Sequence, residues 1–321
     1  MLEVPVESVH MMRMHSEHIA GGMAEMHGWR SEMEDSHVMV DCGDLGSLFS
    51  ICDGHGGDAC AKFVTKLLQK LANKLLTLVT MARDDDDSMK AILEDVFLEI
   101  DNAFHISVEY DEDQSGCTCI LALILPTPEK KEFDIILAHV GDSRAALGSI
   151  SQGYLVDSQG SHGPLTLDHS PERFDEADRI RKAGSFVQNV QGIYRVAGQL
   201  AVSRAFGDFQ FKQSANKRLT PVIALPEISR IKWSSDDEFL VLFCDGITEG
   251  LLTNQRIVEL AASEICASSD LASAARKVCR SSFAAGSMDN LTCMIISSID
   301  HASPQLPKEE MEEGIFLAPR N

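Results

Sequence analysis

Acidic residues recur beside glycine or at predicted strand ends in five short segments of the sequence, a pattern that suits a site for divalent metal ions. The segments are residues 30–35, 53–57, 141–144, 244–246 and 288–290. Several follow an apolar run, where a glycine lets the backbone turn sharply and leaves a carboxylate at a strand end. Taken singly, each Asp-Gly pair is more typical of a plain turn. Taken together, with an arginine and a histidine in the same segments, they favour one cluster.

A converged cluster of carboxylates needs cations, because each pair at about 4 Å repels by roughly 4 kcal/mol at an effective dielectric of 20. The donors are oxygens without a Cys and His set, which favours Mg²⁺ or Mn²⁺ over zinc. Two such ions lower the pKa of a bridging water, and the planar fork of Arg30 suits phosphoryl oxygens. His55 stands between glycines near Asp53, a position that favours proton transfer over core packing. These residues indicate a phosphoester substrate.

Apolar periodicity predicts the elements that must position these residues. Strands and helices fall in blocks, which favours packed sheets with helices outside over an alternating βαβ arrangement. Extended apolar runs predict strands at residues 37–42, 47–52, 117–125, 132–140, 144–148, 228–233, 239–244 and 291–299. Three- and four-residue spacing, with capping residues, predicts helices at residues 58–78, 88–104 (Ser88 as the N-cap), 170–183, 253–265 and 271–284.

Composition argues against several classes of protein. The 321 residues carry a formal charge of −21, which disfavours a nucleic-acid partner because such binding needs a basic face. No apolar run has the length of a membrane span, and residues 1–20 lack the apolar core of a signal peptide. Nine cysteines without a C-x-x-C spacing favour reduced thiols, so we expect a cytosolic or nuclear protein. Cys117 and Cys119, in an apolar run, are predicted to pack in the core.

Three segments are predicted to lie outside the core. Residues 1–20 have no clean period and indicate an N-terminal arm or an edge strand. The acidic run at residues 84–87 is predicted to be a solvated loop rather than a metal site. Residues 304–321 mix Pro, Lys and Glu, as a tail does.

Eight segments then occur in an order that is itself informative: GWR at 28–30 with MEDSH at 33–37, CDGHGG at 52–57, SGCT at 115–118, VGDSR at 140–144, LDHSP at 167–171, LAVSRAFGD at 200–208, CDG at 244–246 and SMDNLT at 287–292. They resemble the motifs of the metal-dependent protein phosphatases of the 2C type. The resemblance implies an α+β fold, a central β-sandwich of two packed sheets flanked by helices on both sides. It divides the chain into an N-terminal arm (1–19), a catalytic domain (20–300) with a variable flap at about 168–195, and a C-terminal tail (301–321).

The same resemblance implies how two metal ions, Mn²⁺ or Mg²⁺, are held. By position, Asp53 bridges both ions and Gly54 offers its backbone carbonyl to one of them. Asp245 and Asp289 match the ligands of the other ion. Glu34 matches a residue that acts through a water on the metal.

It also implies roles around the metal ions. Asp142, with Asp245, matches a weaker third-metal position, and Thr118 matches a hydrogen-bond partner of metal-bound water. Arg30 holds the phosphate. His55 protonates the departing serine or threonine oxygen while the bridging hydroxide attacks phosphorus. Two residues match positions that support the ligands from behind: Asp35 and Asn290.

The resemblance implies an active phosphatase that acts on phosphoserine and phosphothreonine in proteins, as a monomer and without a membrane or nucleic-acid partner. Where many relatives have tryptophan and aspartate, this chain has Thr248 and Glu249, which bears on the third metal and on local packing. Two alternatives stay open, a catalytically silent regulator that binds metal or phosphoprotein, and a phosphatase for small phosphoesters. No matched ligand position is lost, which favours the active enzyme.

Overall fold

Two antiparallel sheets face each other at the centre of the protein, and helices cover the outer face of each. The computed structural model of the chain describes residues 1–107, 113–127, 132–156, 165–234, 238–298, 302 and 306–313. The strands are β1 (Val6–His15), β2 (Ile19–Gly28), β3 (Ser36–Asp41), β4 (Ser47–Cys52), β5 (Gly54–His55), β6 (Gly116–Cys117), β7 (Cys119–Pro126), β8 (Glu132–Val140), β9 (Arg144–Ser149), β10 (Leu155–Val156), β11 (Val187–Val190), β12 (Ile193–Val196), β13 (Phe206–Gly207), β14 (Glu227–Ser234), β15 (Glu238–Phe243), β16 (Leu291–Ser298) and β17 (Glu309–Glu312). The helices are α1 (Ala59–Met81), α2 (Asp86–His105), α3 (Phe174–Lys182), α4 (Gly246–Glu249), α5 (Asn254–Ser268) and α6 (Leu271–Ala284).

The larger sheet has seven strands in the order β10-β9-β15-β16-β2-β1-β17, and the second has five in the order β14-β8-β7-β4-β3. Helices α5 and α6 pack on the seven-stranded sheet, and α1 and α2 pack on the five-stranded sheet. This α-β-β-α layering confirms the predicted fold class. Two small sheets, β13-β6-β5 and the β11-β12 hairpin, lie outside the sandwich.

Strand β4 shows why the central strands are continuous apolar runs. Phe49 and Ile51 belong to the core between the two sheets. Leu48 and Cys52 point the other way, into the core that α1 and α2 cover. Because successive side chains of a strand alternate between its faces, a strand covered on both sides must be apolar at every position.

Adjacent glycines in β2 let the layers approach closely. A Cβ on Gly21 would lie 2.7 Å from the Phe49 ring of the facing sheet. A Cβ on Gly22 would lie 2.1 Å from the backbone nitrogen of Ala272 in α6. Since the two positions face opposite sides of the strand, glycine at both brings the other sheet and the covering helix against β2.

Two helix starts differ from the prediction. The Asp85 side chain accepts hydrogen bonds from the backbone N–H groups of Asp87 and Ser88, so Asp85 is the N-cap of α2 and Ser88 lies within the helix. The predicted acidic loop therefore supplies the first helical turn, where negative charge is favourable. Helix α3 begins only at Phe174, because the preceding residues close a turn in which Arg173 N–H donates to Ser170 O at 3.0 Å.

The N-terminal residues form a strand inside the larger sheet rather than a free arm. Strand β1 pairs with β2 on one side and with β17 on the other, so it is not an edge strand. The buried Arg13 side chain donates to both carboxylate oxygens of Asp270, at 2.8 and 2.7 Å, and Asp270 also caps α6. Strand β17 lies within the predicted C-terminal tail, so that part of the tail belongs to the sheet. Residues 299–301, 303–305 and 314–321 lie outside the described part of the chain.

The nine cysteines are all unpaired, and seven of them are buried, with Cys117 and Cys119 in the core as predicted. In the described part of the chain, no helix combines the length and the apolar character that crossing a bilayer requires.

Candidate metal centre

A cleft of about 390 Å³ opens where strands of both sheets end. Asp53 directly follows β4, and Asp142 comes two residues after the end of β8. Asp245 stands between β15 and α4, and Asp289 lies just before β16. Strand ends from the two sheets thus bring distant acidic segments together. The cleft contains these predicted site residues: Arg30, Glu34, Asp53, Gly54, His55, Thr118, Asp142, Asp245 and Asp289.

The two glycines that follow metal-site aspartates are required by close packing. A Cβ on Gly54 would lie 2.4 Å from the backbone oxygen of Glu34. A Cβ on Gly246 would lie 2.0 Å from the backbone oxygen of Asn290. Both contacts are too short for any side chain, so glycine lets each aspartate loop press against a second loop of the site.

Asn290 and Asp35, predicted to support the ligands, lie behind the cleft. The Asn290 amide donates to His27 O at 2.9 Å and to Glu32 O at 3.0 Å. Its side-chain oxygen accepts from Glu34 N–H at 2.9 Å, so one side chain ties the loop of Arg30 and Glu34 to the start of β16. Asp35 is buried and accepts from the Thr292 hydroxyl at 2.6 Å.

The pKa values of the four aspartates of the cleft are raised when no cation is present. Burial raises the pKa of Asp142 to about 8 and that of Asp289 to about 6, with a further contribution from Asp245 in both cases. Burial and the charges of Asp35, Asp245 and Asp142 raise the pKa of Asp53 well above its usual range. Oxygen donors that resist ionisation together fit hard divalent cations, which offset their repulsion. The residues present therefore suit Mg²⁺ or Mn²⁺.

Glu34 and Thr118 are held by neighbouring backbone and side chains. The Glu34 carboxylate accepts from Gly57 N–H at 2.7 Å. The Thr118 hydroxyl lies 2.7 Å from the Ser143 hydroxyl, and Thr118 N–H donates to Asp53 O at 2.9 Å. Both side chains are thus fixed at the rim where the predicted ligands converge.

Arg30 is placed to receive an anion. One of its terminal nitrogens donates to Asp289 at 2.5 Å, which anchors the guanidinium beside a predicted ligand. Arg30 lines the cleft, and 43% of its side chain is exposed, although its Nε is buried and has no hydrogen-bond partner among the described residues. A part-exposed guanidinium in a cleft suits phosphoryl oxygens.

His55 has a partner that sequence reasoning did not assign. Its Nε2 lies 2.7 Å from the Asp208 carboxylate, which is almost fully buried. Burial lowers the pKa of His55, but the hydrogen bond and charge of Asp208 outweigh it, so the pKa is raised. Asp208 occupies the left-handed region at φ 52°, and a Cβ on Gly116 would lie within 2.5 Å of both side chains of the pair. The Phe206-Gly207-Asp208 motif was visible in the sequence, but nothing there indicated its contact with residue 55.

Glu249 is the second residue whose role the sequence left open. Its carboxylate accepts from Met288 N–H at 3.1 Å and from the Ser287 hydroxyl at 3.3 Å. These bonds hold the loop that carries Asp289, and Glu249 also lines the cleft. The longer side chain therefore joins α4 to the neighbouring ligand loop.

We expect Glu249→Asp to raise the metal concentration needed for half-maximal activity more than it changes the rate at saturating metal. A side chain shorter by one methylene draws back from Met288, and the Asp289 loop loses a hydrogen bond. Phosphate release titrated with Mn²⁺ measures both quantities. Glu259→Asp, on the exposed face of α5, is the matched control. Coinciding titrations for unmodified and Glu249→Asp protein would contradict this role.

Part of the predicted flap forms one wall of the cleft. Ile193 and Arg195 of β12 line it, followed by Leu200, Ala201 and Val202. The β11-β12 hairpin was not predicted, because its short strands are half exposed and carry no long apolar run.

Comparison with known proteins places this arrangement in a family. A family model described as protein phosphatase 2C matches residues 19–291. Protein phosphatase 2C homolog 2 of Aspergillus flavus is 33% identical over 304 residues, which cover 87% of this chain and 63% of the fungal protein. Protein phosphatase 1A of Bos taurus is 32% identical over 311 residues, which cover 93% of this chain and 76% of the bovine protein.

A solved structure supports the same fold. The crystal structure of a phosphatase from a pathogenic strain of Toxoplasma gondii matches 95% of this chain and 99% of its own, with a TM-score of 0.77 at 24% identity. This chain spans less than two thirds of the length of the Aspergillus flavus relative. The family model and the two relatives cover most of the chain, so the protein belongs to the protein phosphatase 2C family.

Proposed function

We propose that this protein is a metal-dependent phosphatase that removes phosphate from phosphoserine and phosphothreonine in other proteins. One observation carries the proposal: a part-exposed arginine and a histidine paired to a buried aspartate line the same cleft as the carboxylate cluster. The names of the relatives, protein phosphatases, favour the same reaction.

The proposed ligands are those that the sequence predicted. Asp53 would bind both ions, Gly54 would offer its backbone carbonyl to one of them, and Asp245 and Asp289 would bind the other. Asp142, with Asp245, would take part in a weaker third site. When bound, Mg²⁺ or Mn²⁺ would neutralise the charge of the phosphate and would supply a nucleophile by lowering the pKa of water in the cleft. Each of these residues lines the cleft.

The remaining side chains bind the substrate, move a proton and fix the geometry. The Arg30 fork binds two oxygens of the phosphate and orients it. Because Asp208 engages Nε2 of His55, Nδ1 is the ring nitrogen left to donate a proton to the departing oxygen. Glu34 and Thr118 orient water within the cleft. Two further residues hold the loops: Asp35 and Asn290.

The proposed substrates are phosphoproteins, and the proposed location is the cytosol or nucleus. A formal charge of −21 disfavours nucleic acid as a partner. Unpaired cysteines, most of them buried, suit a reducing compartment. We propose that the protein acts as a monomer.

The experiment that tests this function measures phosphate release from a phosphothreonine peptide with Mn²⁺, with Mg²⁺ and with chelator. We expect turnover with either ion and none with chelator, because the carboxylate cluster needs cations to accept an anionic substrate. A panel of small phosphoesters tests the small-substrate alternative. Turnover in metal-stripped protein contradicts the proposal, and metal binding without turnover on any substrate favours a regulatory role.

A further inference from the structure

A second group of metal-ligand side chains lies outside the carboxylate cleft. His139 in β8, His169 in the loop before α3 and Glu227 at the start of β14 each place one ligand atom within 4.8 Å of the other two. The two imidazole rings stack with their centroids 4.5 Å apart. His169 Nε2 lies 3.0 Å from the Glu227 carboxylate. Two imidazoles and one carboxylate form a donor set that zinc takes in proteins, with a fourth position left open.

Both histidines are uncharged, which metal binding requires. Burial lowers the pKa of His169 to about 4 and also lowers that of His139, so both rings are neutral near pH 7. The hydrogen bond from His169, helped by one from Arg173, lowers the pKa of Glu227 to about 2. A neutral imidazole has one nitrogen lone pair, so at His169 the proton that Nε2 shares with Glu227 must move to Nδ1 before Nε2 can bind an ion.

Backbone carbonyls fix the orientation of each ring. His139 Nε2 lies 3.1 Å from Leu167 O. His169 Nδ1 lies 3.1 Å from both Gly141 N and Gly141 O, so it accepts from the N–H in one tautomer and donates to the carbonyl in the other. Histidines that bind metal commonly donate their other ring N–H to a carbonyl in this way, which sets the tautomer. The exposed part of the Glu227 side chain, 41%, gives an ion a route from solvent.

We propose that His139, His169 and Glu227 form a second metal site, selective for a borderline cation such as Zn²⁺ over Mg²⁺ or Mn²⁺. Nitrogen donors favour the borderline ions, whereas the all-oxygen cleft favours the hard ones. Arg173 Nη1 donates to the Glu227 carboxylate at 2.9 Å. A bound ion must therefore displace Arg173 or share the Glu227 carboxylate with it. The proposed site adjoins the cleft, because His169 contacts Gly141 and the next residue, Asp142, lines the cleft.

Cobalt(II) titration of the full chain in excess Mg²⁺ tests this proposal, since four-coordinate Co²⁺ with nitrogen ligands absorbs visible light strongly and six-coordinate Co²⁺ on oxygens absorbs weakly. We expect an intense band in the unmodified protein and in Asp53→Asn. His139→Asn and Glu227→Gln should each weaken the affinity for Co²⁺ by at least about 10- to 100-fold, the loss that follows even from disturbing residues around a metal site. Zn²⁺ should displace the signal.

Thermal melting of each variant checks the fold, and Glu227→Gln, at a part-exposed position, serves if His139→Asn does not fold. The proposal is overturned if the unmodified protein gives no intense band. It is also overturned if the band survives both substitutions or disappears in Asp53→Asn. Those outcomes would mean that the two histidines bind no metal ion and serve as uncharged, buried side chains that orient Glu227 and Arg173.

Discussion

Asp53→Asn and Asp245→Asn should each lower the rate of phosphate release by about 10³-fold or more while leaving the protein folded, since metal-ion stabilisation of the reaction is worth several kcal/mol. Each substitution removes the carboxylate of a proposed ligand that lines the cleft. Neither breaks the apolar cores, because both residues lie at strand ends. Initial rates at saturating Mn²⁺ measure the effect. An unchanged rate in either variant would remove that residue from the proposed centre.

The same variants have an expected effect on stability in metal-free protein. Burial raises the pKa of Asp53 and Asp245 in the folded state, so the native protein holds protons that the unfolded chain releases. A raised carboxyl pKa contributes stability that is present at low pH and lost as pH rises through the folded value. The melting temperature of the unmodified protein should therefore fall as pH rises from the ordinary carboxyl range towards about 8, the raised pKa of Asp142 in the same cleft, and that of either variant should fall less.

Asp84→Asn is the matched control for that measurement, because it makes the same charge change at an exposed position. Its melting profile should follow that of the unmodified protein. Parallel profiles for all the proteins would show that the cleft carboxylates do not control the pH dependence. Added Mg²⁺ should restore more stability at pH 8 than at pH 5, since the ion competes with protons for the same oxygens.

His55→Gln should slow hydrolysis of a phosphothreonine peptide by about 10² to 10⁴, the usual contribution of general acid catalysis. A departing alkoxide is a strong base and needs a proton, whereas a nitrophenolate does not. The loss on nitrophenyl phosphate should therefore be much smaller. Steady-state rates on the two substrates provide the measurement, and His18→Gln, at an exposed position, is the control.

Asp208 connects this prediction to the structure. Its hydrogen bond to Nε2 orients the His55 ring and favours the protonated form. Equal losses on the two substrates would mean that His55 positions metal or substrate instead. A negligible loss on both would leave the His55–Asp208 pair with a role in packing alone.

The sequence predicted the fold where local chemistry decides it. Strands β4 and β8 and helix α6 follow from their apolar runs and caps, and their observed bounds are the predicted ones. Strand β1 did not follow, because its alternation is interrupted by Met and His and its place depends on Arg13 meeting Asp270, 257 residues away. The reason for the two glycines of β2 likewise appears only in the fold, where they make room for Phe49 and for α6.

Some residues of the candidate site could likewise be predicted from local sequence, and others could not. An aspartate at the end of an apolar strand, followed by glycine, could be identified from neighbouring residues alone, as at Asp53 and Asp245. Asp208 and Glu249 could not, because each acts through a contact between segments that are distant in sequence. Contacts of that kind depend on strand order, which residue spacing does not encode.

The position of β16 between β15 and β2 has a consequence for biosynthesis. Strand β2 leaves the ribosome early, but its second partner follows only after residue 290. At about 5 to 20 residues per second, the nascent chain carries an open strand edge for tens of seconds. Asp289 and Asn290 emerge just before that missing strand, so the pairing of β2 with β16 and the completion of the cleft occur together late in synthesis, and the pairing of β1 with β17 follows. Until then the growing chain has no complete cleft. We expect chaperones that bind exposed strand edges to associate with the chain mainly in that interval.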